Sequence, residues 1–124
     1  MTRILLAEDN VILAKVLCFA LESKGFSVQA AHDGQAALEF AEQNVFDVVI
    51  TDYDMPKMNG ADLCRLLRAD GRHNETPIIM MSAFCRDLHT DKLNDELRLS
   101  AFFAKPFSPA ALLKKVEDLT ECHA

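Results

Sequence analysis

An open, doubly wound α/β sheet of five parallel strands is the fold that the sequence predicts, and three observations predict it. Short apolar runs alternate with longer stretches of helical periodicity, the alternation repeats five times, and the runs read as strands buried on both faces. A strict strand-helix alternation joined by right-handed crossovers puts helices on both sides of a parallel sheet.

The first strand is expected at Ile4 to Ala7, followed by a helix over Val11 to Lys24 that Gly25 stops. A second strand, Ser27 to Ala31, leads to a helix over Gly34 to Gln43, and a third, Val45 to Thr51, leads through a polar turn to a helix over Ala61 to Ala69. The fourth strand, Ile78 to Ser82, precedes a helix at roughly Asp87 to Leu97, and the fifth is Ala101 to Ala104. Ser108 and Pro109 open the last helix, Pro109 to Leu119, with the proline in the first turn, where its missing N–H is not needed. Among the topologies left open, the flavodoxin-like strand order 2-1-3-4-5 is the expected one. Such a sheet binds ligands outside the carboxyl ends of its strands, at the switch point between strands one and three.

The chain has 124 residues and no internal repeat or Gly/Ser-rich linker, so residues 1–124 are expected to form one domain around one core. Half of the residues are apolar and 26% are charged, the composition of a packed, soluble protein. A formal net charge of −6 with no basic stripe argues against nucleic-acid binding by this chain alone. The N-terminal apolar run is too short for a signal peptide and no stretch is long enough to cross a bilayer, which points to a cytoplasmic protein without a membrane partner. Cys18, Cys64, Cys85 and Cys122 are scattered without ligand spacing and read as reduced, inert thiols, although Cys85 falls in a loop beside the strand ends. His32, His73, His89 and His123 lie in separate elements and read as surface residues with no metal or catalytic role.

The chemistry collects at the strand ends. Glu8 and Asp9 follow the first strand, Asp52 and Asp54 the third, Ser82 ends the fourth, and Lys105 follows the fifth. Carboxylates gathered at one sheet edge repel one another unless a cation neutralises them, and an all-oxygen set favours Mg²⁺, with Mn²⁺ as the other candidate. A lysine and a hydroxyl from neighbouring strands supply charge balance and a hydrogen bond for phosphoryl oxygens. A carboxylate can itself accept a phosphoryl group as an acyl phosphate, and Asp52 has the best position for that role.

Glu8-Asp9, the run Asp52-Tyr53-Asp54-Met55-Pro56-Lys57-Met58-Asn59-Gly60, Ser82-Ala83 and Lys105-Pro106-Phe107 together resemble the motifs of bacterial two-component receiver domains, and the resemblance covers essentially the whole chain. It implies a phosphoryl-accepting signalling switch of the single-domain type in a two-component system or phosphorelay. Asp52 would take a phosphoryl group from a phosphohistidine on a sensor histidine kinase or histidine phosphotransferase, and an unidentified downstream protein would read the result. Such a switch catalyses its own phosphorylation and dephosphorylation and does not turn over a separate substrate. The resemblance further implies that Asp9, Asp52 and the backbone carbonyl of Asp54 ligate Mg²⁺, that Glu8 acts through a metal-bound water, and that the Lys105-Pro106 bond is cis. Ser82 would donate to the phosphoryl group, Lys105 would pair with it, and Phe102 would turn inward as Ser82 moves, altering the surface around helices four and five. Phe103 reads as a core aromatic.

Two further expectations come from side chains around this frame. By the same resemblance, Asp54 and Phe84 flank the path of attacking water, and the ring of Phe84 is expected to shield the acyl phosphate and lengthen its life. Ile12 and Phe19, with Lys15 between them, add apolar surface to the first helix beyond what Leu13, Val16, Leu17 and Leu21 give the core. They are either a docking face for the histidine-bearing helical bundles of the family or part of a wider buried stripe on a rotated helix. One departure from the family is the stretch Glu96-Leu97-Arg98-Leu99-Ser100, which has no glycine where an Ala-Gly turn is often found.

A haloacid-dehalogenase-like phosphatase would use a similar DxD motif, hydroxyl, lysine and Mg²⁺, but here the acid pair precedes Asp52-Tyr53-Asp54 and Met55-Pro56 replaces the usual continuation. A degenerate receiver acting only as a scaffold finds no support, since every reactive position is filled. The sequence stops just past the fifth helix, so the signal is expected to leave through a protein contact, or the chain is the receiver piece of a longer regulator.

Overall fold

The computed structural model describes residues 2–83 and 90–121. In chain order the elements are β1 (Arg3–Ala7), α1 (Val11–Glu22), β2 (Ser27–Ala31), α2 (Gly34–Gln43), β3 (Val48–Asp52), α3 (Gly60–Ala69), β4 (Ile78–Ser82), α4 (Thr90–Leu97), β5 (Ala101–Ala104) and α5 (Pro109–Glu121). All strand pairs are parallel and the order is 2-1-3-4-5, as expected. The part of the fourth helix expected before Thr90, from roughly Asp87, lies outside the described residues.

Alternation along the strands divides the interior into two cores. Leu5, Ala7, Val49, Ile78 and Met80 face α2, α3 and α4, meeting Ala37, Ala41, Leu63, Leu67 and Leu97. Ile4, Leu6, Val48, Ile50, Ile79 and Met81 face α1 and α5, meeting Ala14, Leu17, Leu21, Leu112 and Val116. Consecutive residues of β5 split accordingly, with Phe102 packed on the first core and Phe103 on the second, where it stacks on Phe107 at 5.5 Å between centroids. Only β1, β3 and β4 are buried on both faces; β2 and β5, each with one strand neighbour, are half covered, which corrects the expectation of five doubly buried strands.

Polar side chains set the helix starts. Asn10, Asp33 and Asn59 each accept the N–H of the residue three further on, at 3.1, 2.7 and 2.8 Å, and so satisfy first-turn donors of α1, α2 and α3. Ser108 takes the N–H of Ala110 at 3.2 Å at the head of α5. The first helix ends at Glu22, earlier than Lys24, because Gly25 adopts φ +91° and the Phe26 N–H turns back to the Leu21 carbonyl. Its buried stripe is Ala14, Leu17 and Leu21; Val16, expected in the core, is 45% exposed, and Ile12 and Phe19 are each 77% exposed. The helix is therefore not rotated to bury them.

Two features were not anticipated. His73, expected at the surface, is fully buried: its Nε2 accepts the Phe46 N–H at 3.1 Å and its Nδ1–H donates to Asp70 at 3.0 Å. The neutral tautomer satisfies both contacts. This bond takes the Phe46 N–H out of strand pairing, and β3 starts at Val48 instead of Val45. The second feature is the end of α4, where the missing glycine is replaced by Arg98 itself at φ +55°, a left-handed conformation unfavourable to a side chain. Arg68 of α3 compensates by donating to four carbonyls: Leu97 at 2.8 Å, Arg98 at 3.1 Å, His73 at 3.1 Å and Thr76 at 2.7 Å. Burial and the nearby charge of Arg98 lower the pKa of this guanidinium. Arg98 in turn donates to the Asn74 carbonyl at 2.9 Å, and Arg65 pairs with Glu96.

Candidate functional site

Three strand ends bring a lysine between two acids. Glu8 follows β1 and is held by its own N–H, which donates to Ala31 at 2.9 Å, and by the Asn10 N–H, which donates to Oε2 at 3.0 Å. Glu8 is fully buried and Asp52, at the end of β3, nearly so. The Lys105 ammonium donates to Glu8 Oε1 at 2.7 Å and to Asp52 Oδ2 at 3.1 Å. Lys105 is aimed there by its N–H, which donates to the Ser82 carbonyl at 2.9 Å, and the Lys105-Pro106 peptide is cis, as the resemblance implied.

The loop after β3 closes tightly on Asp52. The Gly60 N–H donates to the Tyr53 carbonyl at 2.8 Å, and a Cβ at Gly60 would fall inside contact distance of the Asp52 carbonyl oxygen, so only glycine lets α3 begin here. The Asp54 N–H points to Asp52 Oδ1 at 3.4 Å, while the Asp54 carboxylate accepts the Ser82 hydroxyl at 3.1 Å across the β3–β4 boundary.

Electrostatics reflect the crowding of acids in a low-dielectric setting. Burial pushes Glu8 up to about 7 and the Asp52 charge adds to this, although Lys105 and the Asn10 N–H oppose it. Burial likewise raises the pKa of Asp52 against the stabilising pull of Lys105. For Lys105 burial acts downward, but the two carboxylates outweigh it and raise its pKa. One lysine does not fully offset the acids. Carboxylate oxygens of Glu8, Asp9 and Asp52 lie within 4.8 Å of one another, an all-oxygen donor set with excess negative charge that fits a hard divalent cation.

Glu8, Asp9, Asp52, Asp54, Ser82 and Lys105 are thus gathered at one edge, whereas Phe84 and Cys85 lie outside the described residues. Phe102 is half-buried in the core facing α4. Ile12, Lys15 and Phe19 stand on the exposed face of α1. A groove of about 420 Å³ between α1 and the site is lined by Asn10, Leu13, Ala83, Lys105, Pro106 and Phe107. The roles of Asn10, which caps α1 and also orients Glu8, and of Asp54 as the acceptor for Ser82 were missed from sequence. An Asn directly after an acid pair was the available signal for the first; the second spans 28 residues and had none.

A parallel 2-1-3-4-5 sheet with an acidic, lysine-bridged cluster at its carboxyl edge defines a phosphoacceptor signalling switch. The chain belongs to the response regulator receiver domain family, whose model matches residues 4–117. It is 36% identical over 117 residues to the sensory transduction protein RegX3 of Mycolicibacterium smegmatis, covering 94% of this chain and 49% of the relative. It is also 36% identical over 118 residues to the DNA-binding response regulator MtrA of Mycobacterium leprae, covering 92% and 49%. The chain therefore spans about half the length of these relatives. Among solved structures it is similar to the chemotaxis response regulator CheY4 of Vibrio cholerae, with TM-score 0.87, 28% identity and 96% and 98% of the two chains covered. A second is the receiver domain of the sensor histidine kinase PA1611 of Pseudomonas aeruginosa, solved with magnesium in its active-site cleft, with TM-score 0.86, 28% identity and coverage of 97% and 98%. Family membership sets aside the phosphatase alternative. Receiver domains are signalling switches that bind Mg²⁺ at an acidic site. No helix among the described residues is long and apolar enough to cross a membrane.

Proposed function

We propose that residues 1–124 act as one receiver domain in which Asp52 is the phosphoacceptor, supplied by a phosphohistidine of a sensor histidine kinase or histidine phosphotransferase. The observation that carries this reading is the Lys105 ammonium bridging buried Glu8 and Asp52 at 2.7 and 3.1 Å. A nucleophilic carboxylate beside a second buried acid needs a fixed positive charge to admit an anionic phosphoryl group, and this lysine supplies it. An Asp52 oxygen forms the bond to phosphorus as the P–N bond to the donor imidazole breaks, and the imidazole leaves with the bonding electron pair. Lys105 then pairs with the phosphoryl oxygens and the Ser82 hydroxyl donates to one of them.

Asp9, Asp52 and the Asp54 carbonyl would hold Mg²⁺, with Glu8 acting through a bound water; the metal supplies charge neutralisation at the phosphoryl oxygens. Mn²⁺ would fill the same all-oxygen site. Ile12, Phe19 and Lys15 form the docking face for the donor's helices, on the exposed side of α1. Phe102 carries the change toward α4 and α5, where a downstream protein reads it in a cytoplasmic setting. Phe84 shields the acyl phosphate, and Asp54 tunes its hydrolysis.

The test is labelling by acetyl phosphate with Mg²⁺. Wild type is expected to give an acyl phosphate that hydroxylamine cleaves, and Asp52→Asn none, with its fold retained. An equally labelled Asp52→Asn protein would place the acceptor elsewhere.

A further inference from the structure

Ser82 closes β4 with no solvent exposure, and its hydroxyl donates to Asp54 Oδ2 at 3.1 Å. A serine hydroxyl has one proton to donate. While that proton lies on the Asp54 carboxylate it is not available to a phosphoryl oxygen on Asp52, so the two bonds exclude each other. Asp54 is well placed to hold this contact: its backbone N–H is tied to the Asp52 side chain at 3.4 Å, and its carboxylate spans from the acceptor strand to the switch strand. A carboxylate is also a stronger acceptor than a neutral oxygen.

We propose that Asp54 is a positioning residue that latches Ser82 in the unphosphorylated protein, and that a phosphoryl group switches the domain by taking the Ser82 proton from Asp54. This inference rests on Asp52 as the acceptor. It differs from an effect of Asp54 on attacking water, because it concerns the protein before any phosphoryl group has arrived. The latch opposes the shift of Ser82, and with it the movement transmitted along β5, where Ala104 stands in register with Ser82 and Phe102 with Met80. A ligand moves such an equilibrium only by its differential interaction with the two arrangements, so the strength of the Asp54 bond sets how strongly the phosphoryl group must compete.

The probe is beryllofluoride, a stable phosphoryl mimic, with its dissociation constant read by fluorine NMR at saturating Mg²⁺. Removing the acceptor with Asp54→Ala is expected to tighten binding. Part of that gain comes from the lost negative charge, and a double-mutant cycle with Ser82→Ala separates the two contributions. The latch requires the Asp54→Ala gain to be about tenfold or more larger in the Ser82 protein than in the Ser82→Ala background, the size of a hydrogen bond to a charged group. Asp54→Asn, which loses the charge but keeps an acceptor oxygen, is expected to bind more weakly than Asp54→Ala. Equal gains in both backgrounds, or equal binding by the Asn and Ala variants, would overturn the latch and leave a charge effect. Weaker binding by Asp54→Ala would overturn it too. Beryllofluoride binding that survives Asp52→Asn would instead refute the acceptor assignment, and the latch with it.

Discussion

Arg68→Ala should destabilise the domain far more than an ordinary surface substitution. The guanidinium donates to the carbonyls of Leu97, Arg98, His73 and Thr76, and three of these four bonds are partly buried. Each partly buried bond contributes on the order of 1 kcal/mol net after water is allowed to replace part of it, and the exposed one little, so losing the set costs about 2–3 kcal/mol. The unfolding entropy expected of a domain this size converts that into a melting temperature lower by about 8–12 °C. Arg68→Lys should recover little, because an ammonium cannot span four carbonyls as a planar fork does. Arg65→Ala is the control: its pairs with Asp62 and Glu96 are solvent-exposed, and such pairs contribute at most about 1 kcal/mol. The assays are thermal and urea unfolding, with amide exchange at Leu97 to Leu99 as the local readout. A loss below about 1 kcal/mol for Arg68→Ala would refute the claim that this side chain replaces the missing glycine turn in securing α4.

Glu8, raised to about 7 by burial, must lose its proton when a cation is bound nearby, so Mg²⁺ affinity should fall by up to about tenfold per unit as pH drops below 7. Calorimetry in buffers of different ionisation enthalpy should detect the released proton, and binding without proton release would contradict the assignment. The sign for metal-free stability follows from the same shift: the contribution of Glu8 is fully present below its usual 4.5 and is lost as pH rises through about 7. Ile12→Ser and Phe19→Ser should slow phosphotransfer from the histidine donor at least tenfold, consistent with loss of interface anchors, yet leave acetyl phosphate labelling unchanged. Equal loss with both donors would exclude docking. Phe84→Glu should shorten the life of the phosphorylated protein with Mg²⁺ present; an unchanged decay would mean that the ring does not limit hydrolysis.

The sheet and its carboxyl edge were legible in sequence because their signals are local. Apolar runs such as Ile4 to Ala7 and Ile78 to Ser82 name the strands, and a residue just past a strand end can only lie at the edge, which places Asp9, Asp52 and Lys105. Edge strands were harder to read. Ala101 to Ala104 is apolar throughout although its faces are only half covered, whereas in Ser27 to Ala31 the polar Ser27 and Gln29 at alternate positions are the residues left exposed. Tertiary pairing hid the rest. His73 is buried because Phe46 and Asp70 happen to converge on its two ring nitrogens, and Arg98 tolerates φ +55° because an arginine thirty residues earlier holds its carbonyl. Val16 sits on the shoulder of α1, where a small change in helix phase decides between core and surface.

The split between three sealed inner strands and two half-open outer ones also implies a gradient of opening across the molecule. Amides of β1, β3 and β4 should exchange only when the whole domain unfolds, whereas those of β5 should exchange through local excursions that leave the sheet centre intact. Asp52 lies at the end of the rigid middle and Phe102 in the yielding margin. The proposed acceptor is thereby attached to the buried centre of the sheet, and the proposed reporting residue to a half-covered strand that can open without risk to the fold. A chemical event of a few kcal/mol at the first can redistribute conformers at the second, because the margin is held by free energies of similar size.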